Sequence, residues 1–309
     1  MNTDTAALIG AAARWLGFAA TLIVLGAGGY RFGVLRAMRR AGIDLAGADS
    51  AAATTGLAGA IALLVIALPR LYGQALGFVD PGEPVTRDLI ATILGQTAWG
   101  RGWTTQVVAA GLATTGFVAA RGLPGAGWVM AVAGASAVAL AAPLTGHAVA
   151  AERAGRWGYP LDVLHVLGAG VWLGTLAVMT VAGFGAARRL DPDHRDRRIA
   201  DQVRAFSPIA LAGAGTVALA GLALAFRYLD GSLAALWTSS YGRTLFRKLV
   251  LLALVMAVGA WNWRVVTPRL GGPDGTARIR RSSLIELLLG TILLAITAVL
   301  VSMPMPGEE

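Results

Sequence analysis

With 56% hydrophobic and only 14% charged residues, a chain of 309 residues cannot cover a water-facing surface; soluble domains carry roughly 25% charged residues. The net charge of +9 sits in short clusters between apolar runs, which is the pattern of membrane loops and not of a nucleic-acid-binding face. No cysteine is present, which excludes disulfides, thiolate metal sites and a cysteine nucleophile.

A helix needs about 20 apolar residues to cross the hydrocarbon layer. Eight runs qualify, at residues 6–29, 51–68, 102–120, 124–143, 160–184, 207–226, 245–266 and 284–302. The expected fold is therefore an all-α polytopic membrane bundle, one integral-membrane domain over 1–309. The opening MNTDTAALIG lacks the basic start of a secretory signal, so the first run is expected as a retained helix. Between the second and third runs, Thr86 to Gln96 carries apolar residues at 89, 90, 93 and 94, which predicts a short interfacial helix. The connection 121–123 is so short that the third and fourth helices must form an antiparallel hairpin. Pro160 marks the expected start of the fifth helix. Ser283-Leu-Ile-Glu286 reads as a capping box opening the eighth. The 41 glycines favour close helix packing, and Gly170 and Gly174 form a G-x-x-x-G contact signal.

Sixteen of the 26 Lys and Arg fall after the first, third, fifth and seventh runs, against nine on the other side. The positive-inside rule then places both termini outside, N-out and C-out.

Three histidines are present. His194, in DPDHRDRR, reads as a solvated loop residue. His147, in PLTGHAVA, and His165, in LDVLHVLGAGVWLG, both lie toward the outer ends of consecutive antiparallel helices, so the two imidazoles can converge on one metal. Asp162, His165, Ala169 and Trp172 share one helix face. Asp162 is placed to orient the imidazole through its second N–H, and Trp172 to wall the site. Met303 and Met305, in SMPMPGEE, add thioethers on the same side. Met130 and Met179 read as core. Arg14, inside the first run, needs a partner or a wet cavity. Arg101, between Trp99 and Trp103, reads as an interfacial anchor, and Arg247 and Lys248 as side chains that snorkel outward. No nucleotide-binding loop, metalloprotease motif or Ser/His/Asp arrangement is visible, so no catalytic residues are expected.

PLTGHAVA, LHVLGAGVWLG, the Y-G-R-x-L-x-x-K spacing of YGRTLFRK and the ending RSSLIELLLGTILLAITAVL together resemble the CopD family of bacterial copper-resistance and copper-uptake membrane proteins. The resemblance spans essentially the whole chain and is strongest over 140–302. It implies copper transport across the bacterial cytoplasmic membrane and a separate periplasmic CopC-like copper chaperone as partner. His147, His165, Met303 and Met305 are the candidate ligands. Without thiolates, Cu(I) is favoured over Cu(II), since two imidazoles can hold Cu(I) linearly. Two other readings stay open: the histidines as axial ligands of one b-type haem, or a protein that receives copper from a chaperone without transporting it.

Overall fold

The computed structural model describes residues 3–80, 82–146, 155–270, 275–304 and 306, and these are all-helical, with no strand among them. Helix α1 (Thr3–Gly29) passes through a π-helical turn (Tyr30–Leu35) into Arg36–Arg40. It is followed by α2 (Ala48–Leu76), the short α3 (Arg87–Gln96), and the hairpin of α4 (Ala98–Ala119) and α5 (Pro124–Ala141). Helix α6 (Gly155–Ala169) continues to Ala187 through two π-helical turns, Gly170–Gly174 and Met179–Gly183. Then come α7 (Pro192–Tyr228), α8 (Ser240–Trp261) and α9 (Gly275–Leu300).

Among the described residues, seven helices are long and apolar enough to cross a membrane. The protein is a multi-pass membrane bundle. Helix α4, expected as a further span, has the length but is not among the seven. Arg101, Gln106 and the threonines at 104, 105, 114 and 115 dilute its apolar character. Apolar side chains point outward along the bundle: Val108 is 67% exposed, Leu211 65% and Leu219 73%, an arrangement that only lipid solvates without cost.

The expected small helix over 86–96 is present as α3. Thr86 caps it, its hydroxyl accepting from Leu89 N–H at 3.2 Å, and Ile93 anchors it in the interior. The glycine spacing at 170 and 174 does mark a helix contact. A Cβ on Gly170 would meet Leu25 at 2.5 Å, and one on Gly174 would overlap the Leu22 carbonyl oxygen, so α1 and α6 pack backbone to backbone. Met179 is core, as expected.

Three local expectations are corrected. Pro160 does not open its helix, because the helix already runs at Gly155. His165 then lies ten residues along it, about 15 Å at 1.5 Å per residue, deeper than a start at Pro160 would place it. Ser283 and Glu286 are not a capping box, because α9 begins at Gly275. Both are buried in mid-helix, and the Asn262 side-chain amide donates to the Glu286 carboxylate. The charged stretch around His194 is not a loop. Asp191 caps α7 and Pro192 occupies its first turn, so the helix runs 37 residues, well past its apolar part. His194 is exposed there, and the Asp191 carboxylate takes both its backbone N–H (3.1 Å) and its Nδ1 (2.8 Å). These contacts hold the Asp191 carboxyl below the usual carboxylate range.

Candidate functional site

Helices α1, α2, α4 and α6 to α9 surround a cavity of about 220 Å³. The face expected from spacing alone is realised: Asp162, His165, Ala169 and Trp172 all line it, and Trp172 is buried at its wall.

His165 is held from α7. Its Nδ1 lies 3.0 Å from the Val217 carbonyl oxygen. A carbonyl only accepts, so Nδ1 carries a proton and donates, and in the neutral ring Nε2 then keeps the lone pair. Gly221, one turn beyond Val217, makes room for the ring: a Cβ there would stand 2.9 Å from Cε1 and 3.1 Å from Nδ1. The contact fixes the tautomer of the neutral imidazole, the form that binds metals. The backbone of Val217, and not the Asp162 carboxylate, fixes that tautomer. Asp162 instead lies within electrostatic reach of Lys248, Tyr228 and Tyr241, and Lys248 also reaches His165.

The remaining charges at the cavity are ones that sequence reading assigned elsewhere or left unplaced. Lys248 does not snorkel outward but lines the cavity, whereas Arg247 beside it is exposed. Arg14 lines the cavity, and its Nε donates to the Ala298 carbonyl at 3.2 Å. Arg70, unremarked in the sequence, reaches in from α2. It donates to Gln106 Oε1 at 2.5 Å and to Thr145 Oγ1 at 3.1 Å. A charge at the centre of a spanning helix costs about 2.5–3.5 kcal/mol on insertion scales. Three cations gathered on one cavity therefore speak for a purpose beyond packing. The signal available in sequence was one of residue type: Arg14 within an apolar run, and Arg70 directly after Pro69 at the end of another.

Of the four candidate ligands, His165 lines the cavity. Met303 packs, partly buried, against a small apolar cluster that includes Leu229, Tyr241, Leu245 and Leu300. His147 and Met305 lie outside the described residues, although Gly146, next to His147, lines the cavity. Among the described residues no group of three or more His, Cys, Asp or Glu is placed to hold a metal ion. His165 and Asp162 supply one nitrogen and one carboxylate, a set that needs a further donor to hold copper.

No curated protein and no solved structure matches the chain. Residues 200–300, which carry Val217, Gly221 and Lys248, match the family model of Copper resistance protein D, CopD, the family that the sequence resembles.

Proposed function

We propose that the protein carries copper across the bacterial cytoplasmic membrane, in uptake or tolerance, with the cavity at His165 as its metal station. The observation that supports this best is the imidazole itself: its Nδ1 is held by the Val217 carbonyl, so the neutral ring presents Nε2 as its lone-pair nitrogen, on a cavity inside a copper-resistance-related membrane bundle. Copper here is cargo. A site without thiolate and with few donors binds weakly enough to release, which suits transit.

Charge favours Cu(I) over Cu(II). Arg14, Arg70 and Lys248 oppose one carboxylate, Asp162, so each additional positive charge on the metal raises the cost of entry. His147 is the proposed second nitrogen donor, and Met303 and Met305 are proposed to capture metal at the outer mouth. A separate CopC-like periplasmic chaperone is the proposed donor of copper. A haem at the same ring fits less well: about 220 Å³ falls short of the ~300–1,000 Å³ typical of pockets for larger organic ligands.

The test is copper flux into proteoliposomes of known orientation. His165→Ala and His147→Ala should each abolish flux while the protein stays folded in the membrane, and His194→Ala should leave it unchanged. Normal flux through both cavity variants would remove the histidine site. No flux through the wild-type protein, with copper still bound, would favour the copper-receiving reading.

A further inference from the structure

Among the described residues the two arginines at the cavity have no acidic hydrogen-bond or ion-pair partner. Among the described residues no ion pair joins Arg14 or Arg70 to a carboxylate. Every hydrogen-bond partner they have is neutral: the Ala298 carbonyl for Arg14, and Gln106 Oε1 and Thr145 Oγ1 for Arg70. Each guanidinium carries five N–H donors and does not give up its charge inside a protein. Most of those donors therefore have no protein partner among the described residues, and both side chains line the cavity.

The two groups also sit together. The Arg14 guanidinium lies over Gly10, 3.6 Å from where a Cβ would stand, and the Arg70 Cδ lies over Gly17 at 3.9 Å. Gly10, Arg14 and Gly17 fall on one face of α1 at i, i+4 and i+7, so the two side chains lie over that face about two turns, or roughly 10 Å, apart, and both line the cavity. They are within each other's electrostatic reach, and they repel. The Asp162 carboxylate lies within electrostatic reach of Lys248, and among the described residues it forms no ion pair with either arginine.

We propose that Arg14 and Arg70 form a binding site for a small oxyanion within the cavity. Two planar guanidinium forks match the paired oxygens of a phosphate or carboxylate group, and a bound anion removes the repulsion between them. Gln106 and Thr145 hold the Arg70 fork in place. A soluble oxyanion and the phosphate of an anionic phospholipid share this chemistry. The site stands without the copper reading, and it is tested without copper.

Delipidated protein in neutral detergent is dialysed to equilibrium against radiolabelled inorganic phosphate. In parallel, protein from nanodiscs containing phosphatidylglycerol is examined by native mass spectrometry for retained lipid. Wild-type protein should bind phosphate saturably, and Arg14→Gln and Arg70→Gln should each weaken binding at least tenfold. Retention of phosphatidylglycerol by the wild type and its loss in Arg14→Gln would identify the lipid as the source; phosphate binding with no retained lipid would identify a soluble anion. If Arg70→Gln fails to fold, Arg14→Gln decides alone, because Arg14 gives up only one hydrogen bond. A wild-type protein that holds neither phosphate nor phosphatidylglycerol, or variants that hold them as well as the wild type, would overturn the proposal.

Discussion

At the scale of single residues, the chemistry of the cavity turns on the carbonyl of Val217. By taking the Nδ1 proton of His165 it leaves Nε2 as the donor atom. Gly221 keeps the ring in place by having no side chain, so Gly221→Ala should push the ring off the Val217 carbonyl. Copper flux should fall by roughly tenfold, the scale on which the loss of a ligand-orienting contact is felt, with expression and helicity unchanged. Flux equal to wild type would mean that the ring position is not critical. Asp162→Asn removes the one carboxylate that lines the cavity among the described residues and should weaken Cu(I) binding severalfold in a competition titration. Unchanged affinity would take Asp162 out of the metal's surroundings. Spacing alone showed the Asp162, His165 and Trp172 face, because helical periodicity is local. The Val217 contact was not legible, since it joins residues 52 apart in sequence through a backbone atom that carries no residue signature.

At the scale of elements, hydropathy finds the part of a helix that lipid touches and misses the part that water touches. This is why α7 runs from Pro192 through a charged turn that reads as a loop, and why α9 begins well before its apolar stretch. It also explains Glu286: a Ser-x-x-Glu pattern at the start of an apolar run looks like a cap, but the helix had already begun and the carboxylate found Asn262 on a neighbouring helix instead. The contact between α1 and α6 was legible, because G-x-x-x-G encodes close approach directly. Gly174→Leu should separate the two helices, since its side chain must enter the space held by the Leu22 carbonyl. Overpacking of this kind costs about 1–3 kcal/mol, so the unfolding temperature in detergent should drop clearly. A variant as stable as the wild type would show that α1 and α6 do not depend on this approach.

For the whole molecule, the bundle was legible from composition and the positions of apolar runs, and the cavity was not. Seven elements converge on it, and its arginines and lysine come from α1, α2 and α8, which no spacing rule connects. The N-out, C-out orientation expected from the basic asymmetry requires α4 to cross together with the seven apolar helices, and it is open to direct labelling, because the chain has no cysteine to interfere. A cysteine introduced at Thr3 should react with an impermeant reagent added outside intact cells, and one at Asp193 should not; the reverse pattern would invert the topology. The central claim is that copper sits on His165, and X-ray absorption at the copper edge of the purified protein loaded with Cu(I) addresses it most directly. Bound copper with imidazole scattering that is lost in His165→Ala is the expected result. Copper bound with the same spectrum in wild type and His165→Ala would place the metal elsewhere in the molecule.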